Sequence, residues 1–357
     1  MIEQERRGEP IATIKDVARQ AGVSVGTVSN VLRGAASVDA ELRQRIEKAI
    51  SKLDYHPSHV ARSLKSKQTE TLGMVISDIT NPFFPLLVRG AEDAASARGY
   101  FLITFNTDDR IERERQVLSL LKSRRADGVL LVVAPNNDAS YIERLFDEGM
   151  PIVCIDRIPN SQRTFDSVCV DNVRGAQVCV QHLIMRGHTR IATITGSLEL
   201  QNARDRLRGY EIALAEAGLA IDPDLILGGD FRQDSGLRRC KDLMLRHQRP
   251  TALFVSNAMM TIGALEALEE MGLSCPEDVA IASFDDFPNA AVFRPRVTCV
   301  SQPCYQIGYQ GADLLLQRIK GELSGPSPVT IRLEPELKIR ESTGTARPRT
   351  GSATARR

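Results

Sequence analysis

From residue 69 onward, short runs of apolar residues alternate with amphipathic helical stretches. The runs lie at 72–77, 101–105, 128–133, 152–155, 167–170, 190–195, 225–229, 252–255, 279–284 and 298–301. Helical periodicity fills the gaps at 85–98, 112–124, 172–185, 205–216, 235–247 and 261–271. A strand that is apolar throughout and followed by a helix belongs to a parallel sheet covered on both faces. About ten such strands are many for one sheet, so two doubly wound α/β lobes are the expected architecture.

Residues 13–54 carry only helical signals. Thr13-Ile14-Lys15-Asp16 has the form of a capping box, with Val17, Ala18 and Ala21 as the apolar stripe behind it. Gly22 supplies a left-handed turn, and Ser24 caps a second helix whose Val28, Val31 and Leu32 face inward. A third helix runs from Asp39 to Leu53 with Leu42, Ile46, Ile50 and Leu53 on one face. Helix, glycine turn, helix is the pattern that lays a second helix in the DNA major groove. Ser24, Thr27 and Ser29 offer hydroxyls suited to phosphate oxygens, and Asn30 is suited to adenine. Downstream, YHPSHVARSLKSKQ sets Val60, Ala61 and Leu64 on one face of a short helix, among Arg62, Lys65 and Lys67. Such a helix is unstable alone. On DNA it would place Leu64 as a wedge in the minor groove.

Charge is divided to match. The overall +1 resolves into +4 over residues 1–68, −7 over 69–343 and +4 over the basic tail 344–357. A basic head on an acidic body marks the head as the part that meets a polyanion. The longest apolar run, at 129–134, is far short of the roughly 20 residues that span a bilayer. The opening MIEQERRGEP lacks the apolar segment of a secretory signal. Seven scattered cysteines without a C-x-x-C read as reduced thiols in a cytoplasmic protein, not as disulfides or a zinc site. His56 and His59 lack further ligands, and neither metal nor cofactor is expected. Nucleotide-binding glycine motifs and the G-x-S-x-G elbow are absent, and the five histidines have no catalytic spacing. The chain is therefore not expected to be an enzyme. His182 and His188, in and beside RGH, are read as capping or surface groups.

The order TIKDVARQAGVSVGTVSNVL, YHPSHVARSLKSKQ, TLGMVISDITNPFF, ADGVLLV, PIVCIDR, DSVCVDN, RGHTRIATITG, PTALFVSN, VAIASFDD and SQPCYQIG resembles the LacI/GalR family of bacterial transcription regulators. The resemblance covers residues 13–343. It implies a flexible N-terminus at 1–12, a DNA-binding head at 13–54, a hinge helix at 55–68 and a two-lobed, periplasmic-binding-protein-like core at 69–343. Lobe 1 would comprise about 69–170 with 301–328 and lobe 2 about 171–297 with 329–343. Residues 344–357, which are rich in Arg, Thr, Ser, Gly and Ala and show no periodicity, are expected to be a disordered tail. The implied function is a sequence-specific repressor, nucleoid-associated, bound to a pseudo-palindromic double-stranded operator as a homodimer or tetramer. A sugar-like effector between the lobes would control it. The alternative is a small-molecule binding protein of the same core fold that does not bind DNA.

By the resemblance, Val25, Gly26 and Asn30 read bases, Leu64 intercalates, and Arg62 and Lys65 meet the backbone. Ser24, Thr27, Ser29, Thr13 and His59 complete the expected DNA contacts. In the core, Phe83 and Phe84 stack on the effector, and Asp156, Arg206, Asn257 and Asp285 make polar contacts with it. Phe231 stands where purine-responding members place an aromatic ring. Two positions depart from family patterns: Ala258 stands where Asp usually follows this Asn, and Leu200 where purine-type members carry Arg. A carboxylate pair with a guanidinium suits vicinal hydroxyls, since each hydroxyl both donates and accepts. Asp286 is read as a structural partner.

A hinge role for Leu64 has a direct test. Leu64→Ala should weaken operator binding by about 1–3 kcal/mol and leave random-sequence binding nearly unchanged, since the wedge acts only in an opened minor groove. Competition titrations on both DNAs check it; equal losses would make 55–68 a basic linker.

Overall fold

The computed structural model describes residues 12–32, 38–55, 68–136, 139–288, 290–325 and 327–346. The chain divides into two units, Met1–Thr69 and Glu70–Arg357. In the first, three helices form among the described residues: α1 (Ile14–Ala21), α2 (Val25–Leu32) and α3 (Ala40–Lys52). Local chemistry sets their ends. The Thr13 N–H and hydroxyl both donate to the Asp16 carboxylate, at 3.0 and 2.6 Å. Gly22 closes α1 at φ 64°, a conformation that costs glycine little. The Ser24 hydroxyl oxygen accepts the Thr27 N–H at 3.1 Å and starts α2. Val17, Ala18, Ala21, Val28, Val31, Ile46 and Ala49 are buried together as the small core of this unit. His59, Arg62, Leu64 and Lys65 lie outside the described residues, as do 1–11.

The second unit holds two six-stranded sheets. Sheet 1 contains β1 (Thr71–Ile76), β2 (Phe101–Asn106), β3 (Gly128–Leu131), β4 (Ile152–Ile155), β5 (Asp166–Val170) and β11 (Thr330–Leu333), in the order β11-β5-β4-β3-β1-β2. Its strands pair in parallel, Val75 opposite both Phe105 and Leu131. Sheet 2 contains β6 (Ile191–Thr195), β7 (Ile226–Gly228), β8 (Ala252–Val255), β9 (Ala280–Phe284), β10 (Thr298–Ser301) and β12 (Glu336–Lys338), in the order β12-β10-β9-β8-β6-β7. Only β12 runs antiparallel there, against β10.

Both faces of each sheet are covered, which is why the strands read as unbroken apolar runs. Leu72, Met74 and Ile76 pack with α4 (Phe83–Ala97) and α11 (Cys304–Ile319). Val75, on the other face, packs with α5 (Ile111–Ser123) and α6 (Ser140–Asp147). In lobe 2, Phe254, Ala282 and Phe284 meet α7 (Asn172–Met185) and α8 (Gln201–Glu216). Leu253, Val255 and Ile281 meet α9 (Gln233–Met244) and α10 (Ala258–Glu270). Helices α4 and α11 approach so closely that a Cβ on Gly308 would fall 1.8 Å from the Leu87 carbonyl oxygen.

Several expectations need correction. Residues 330–333 were expected in lobe 2, but β11 pairs with β5 and completes sheet 1; only β12 returns to lobe 2. The elements α6, α11, β11 and β12 were not anticipated. The edge strands are short and amphipathic, Thr330 and Arg332 exposed, so they lack the unbroken apolar run that marks a buried strand. The expected tail is ordered through Ala346, whose N–H donates to the Arg186 carbonyl at 3.0 Å. Residues 347–357 lie outside the described residues. All seven cysteines are free thiols, five of them buried. Among the described residues no helix is long and apolar enough to cross a membrane.

His182 and His188 are buried, not surface groups. His182 Nε2 hydrogen-bonds with Thr343 Oγ1 at 2.8 Å; His188 hydrogen-bonds with Thr251 Oγ1 at 3.0 Å and the Gly344 carbonyl at 2.9 Å. They tie the end of the chain to lobe 2. Burial lowers both pKa values below the ordinary 6.5. The unfolded chain therefore takes up these protons first, so their stabilising contribution is complete above about pH 6.5 and is lost as pH falls toward the folded values. The double variant His182→Gln/His188→Gln should have a lower Tm at pH 7.5 but a smaller Tm drop between pH 7.5 and 5 than the parent. Thermal melts of both proteins at the two pH values check it; identical pH dependence would show that other groups carry the effect.

Candidate functional site

In the core, the carboxyl ends of both sheets face one another across a seam, the place where open α/β sheets bind ligands. Asp156 follows β4 and Asp285 follows β9. Phe83 and Phe84 open α4, Arg206 lies in the second turn of α8, Phe231 follows β7, and Asn257 follows β8. All seven line one cavity of about 20 Å3, little more than the space of one water molecule. Asn81, Arg157, Asn202 and Gln302 line it too, and sequence reasoning missed their roles. Arg157 directly follows Asp156, and Asn202 sits four residues before Arg206 on the same helix face. Gln302 follows β10 as Asp285 follows β9, so position after a strand end was the signal that could have found it.

The backbone is strained here. Asp156, Phe231 and Asp285 have φ of 62°, 67° and 73°. Asp visits this region readily, but a bulky ring rarely does, and such strain concentrates at functional sites. The turn at Phe231 presses its ring over Gly196, where a Cβ would fall 2.1 Å from it.

The electrostatics are balanced. Lobe 1 contributes Asp156 and Arg157, lobe 2 Arg206 and Asp285, and all four are buried. Arg206 donates to Asn172 Oδ1 at 2.8 Å and to the Ser256 carbonyl at 2.7 Å. Its Nη1 lies 3.8 Å from Asp285, and its guanidinium lies 3.8 Å from the centre of the Phe284 ring. Gln302 donates to Asp285 Oδ1 at 2.5 Å. Asn202 donates to Asp156 Oδ2 at 3.5 Å, across the seam. Burial raises the pKa of Asp156 and of Asp285 and lowers that of Arg206; the opposite charges work against each shift.

Three residues that line this cavity each have a buried polar atom without a hydrogen-bond partner: Arg157 Nε, Asn202 Oδ1 and Gln302 Oε1. Asn257 differs. Its Oδ1 accepts the Met260 N–H at 2.9 Å and its Nδ2 donates to the Phe231 carbonyl at 2.8 Å, so it caps α10 and holds the strained turn. Asp286 pairs with Arg340 at 2.8 Å and Lys338 at 3.1 Å, and these partners hold its pKa down to about 2 against its burial. Among the described residues no group of three or more His, Cys, Asp or Glu could hold a metal.

In the head, Val25 is 39% exposed at the first turn of α2. Gly26 beside it is open, since an added Cβ would meet only Ser24 Oγ at 3.6 Å. Ser24 is exposed, while Thr27, Ser29 and Asn30 are half-buried. Thr13 and Ser24 spend their side chains on Asp16 and on the Thr27 N–H, as helix caps.

The family model described as "Bacterial regulatory proteins, lacI family" matches residues 13–58, and the "Periplasmic binding protein-like domain" model matches 180–343. The chain is 35% identical to the HTH-type transcriptional repressor PurR of Aliivibrio fischeri (strain MJ11), over 93% of this chain and 98% of that protein. It is 38% identical to the Ribose operon repressor of Escherichia coli (strain K12), over 87% and 93%. It superposes on the lac repressor dimer bound to operator and the anti-inducer ONPF with a TM-score of 0.83 at 26% identity, covering 94% of this chain and 100% of that one.

Arg206 carries structural as well as recognition chemistry. Truncating it would orphan Asn172 Oδ1 and the Ser256 carbonyl and leave Asp285 without its guanidinium. Arg206→Ala should destabilise the core by about 3–5 kcal/mol, the usual cost of removing one partner from a buried charge pair. Denaturant melts check it; an unchanged midpoint would show that the cavity relaxes without its central cation.

Proposed function

The chain belongs to the lacI family of bacterial regulatory proteins and is a DNA-binding transcriptional repressor governed by a small-molecule effector; from that premise we propose that its effector is an uncharged monosaccharide, with ribose the first candidate. The single observation that carries this is the trio of unpartnered polar atoms, one donor (Arg157 Nε) and two acceptors (Asn202 Oδ1 and Gln302 Oε1), between two buried carboxylates and two buried guanidiniums. Sugar hydroxyls donate and accept at once, so adjacent hydroxyls can serve all of these atoms. The four charges already balance, and an anionic ligand would add a buried charge without a partner. Phe83 and Phe84 on one side and Phe231 on the other offer apolar rings to the two faces of a sugar ring. The relative named Ribose operon repressor agrees with this chemistry.

The operator reading follows from the head. Asn30 and the exposed first turn of α2 supply few base contacts, so a dimer on two half-sites is the arrangement we propose, in the cytoplasm. Phe101 and Ile103 on edge strand β2 are 63% and 46% exposed, and Leu86 on neighbouring α4 is 54% exposed. An apolar edge strand of this kind calls for a cover, and a second copy of the chain supplies one. A family-matching head weighs against a core that binds ligand without DNA.

Thermal shift with ribose, glucose, ribose 5-phosphate, hypoxanthine and guanine tests the effector class. Ribose at 100 times its Kd should stabilise the protein by about 2.7 kcal/mol and change operator affinity, while the phosphate ester and the bases do neither. Stabilisation by a base and not by any sugar would overturn the reading.

A further inference from the structure

Beside the cleft, but outside its lining, Asp108 and Asp109 form a turn at the end of β2, with φ of 55° and 59°. It is held firmly. The Asp108 N–H donates to the Ser77 carbonyl at 2.7 Å, and its carboxylate accepts from Asn106 and Arg113. Asn106 Oδ1 in turn accepts the Ile79 N–H at 2.8 Å. Two arginines reach this turn from different lobes. Arg157, in lobe 1, donates through Nη1 to Asp109 Oδ1 at 2.5 Å, while its buried Nε lies 3.6 Å from Asp156 Oδ2 and has no hydrogen-bond partner. Arg232, in lobe 2, donates through Nη2 to the Asp108 carbonyl at 3.1 Å.

Each arginine directly follows a strained cleft residue, Arg157 after Asp156 and Arg232 after Phe231. One turn thus grips both the side chain aimed at the effector and the loop that carries the opposing aromatic ring. The Asn202–Asp156 bond also crosses the seam, but both partners line the cavity, so an effector would compete with it. The Arg232–Asp108 bond lies clear of the ligand space and can persist around a bound effector.

We propose that the Asp108–Asp109 turn is the closure latch of the core: Asp109 positions Arg157 for the effector, and the Asp108 carbonyl holds lobe 2 shut through Arg232. The effector half of this rests on the monosaccharide reading; the latch half does not. Asp109 is a positioning residue, since its carboxylate acts through the guanidinium and does not line the cavity.

Two measurements on the full chain test it. Hydrogen exchange without effector should be several-fold faster at residues 156–158 and 201–206 in Arg232→Ala than in the parent, with Arg232→Lys between them; unchanged exchange would overturn the latch whatever the effector is. Calorimetric titration with ribose should show a Kd raised roughly tenfold or more in Asp109→Asn, a residue that tolerates the same φ, with partial recovery in Asp109→Glu. In Arg232→Ala the ribose dissociation rate should rise, since the lobes are no longer latched around it. A lowered Tm in Asp109→Asn with ribose Kd unchanged would make Asp109 a brace of the fold and overturn its positioning role. Failure of the parent to bind ribose would overturn the effector half of the proposal together with the monosaccharide reading, and hydrogen exchange would still decide the latch.

Discussion

Two carboxylates and two guanidiniums are buried at one seam, and each lobe brings one of each. Removing an ion from water costs several kcal/mol even after the protein relaxes around it, and a partner in low dielectric offsets that cost only when geometry is good. Burial pulls the pKa of Asp156 and of Asp285 upward; Arg157 and Arg206 oppose that pull at Asp156, and Arg206 opposes it at Asp285. The site is therefore poised. Its charges balance, yet Arg157 Nε lies 3.6 Å from Asp156, too far for a hydrogen bond, and two amide oxygens have no donor. The deficit is in hydrogen bonds and not in charge, and that distinction points to a neutral, hydroxyl-rich effector.

The architecture of the core was legible because a parallel sheet buried on both faces leaves a loud signal. Strands β4, β8 and β10 fall at the expected residues, and the seven expected cleft residues line one cavity because strand carboxyl ends share one edge of a parallel sheet. What failed to show has physical reasons. Helices α4, α8 and α10 start two to four residues earlier than expected; at α10 the Asn257 side chain caps the first turn. Strand β11 is half exposed and joins sheet 1 through a pairing of high sequence separation, which periodicity cannot reveal. The burial of His182 and His188 depends on Thr343 and Gly344, more than 150 residues away. Asn257 has the residue type of a ligand contact but spends both ends of its amide within the protein.

The helices that open on the cleft are also joined to one another. Helix α4 begins at Phe83 and α11 just past Gln302, so both start at the site. Glycine contacts weld them: Gly90 faces the Tyr305 carbonyl and Gly308 the Leu87 carbonyl, with no room for a methyl group at either. Side chains that interdigitate can slide past one another; backbones in direct contact leave little to adjust. A displacement at Phe83 or Gln302 thus moves α4 and α11 as one body. Leu86 rides on that body, beside the exposed edge strand β2. The two helices thus reach from the cleft to the exposed surface around Leu86.

The small size of the cavity bears on how such a core can respond at all. A space of about 20 Å3 for the centres of water-sized molecules leaves little room between the lobes as they stand. Three contacts join the lobes at the seam: Asn202 on Asp156, Arg157 near the Phe231 ring, and Arg232 on Asp108. A sugar-like effector of the kind proposed would compete with the first two through its own hydroxyls and ring faces. Its leverage on DNA binding is limited to the difference in its affinity for the conformations that the head distinguishes. With the proposed latch, contacts in the cleft would tune sensitivity to concentration, and the Arg232 bond outside it would set the population that the effector has to shift. Binding strength and regulatory gain would then rest on different residues.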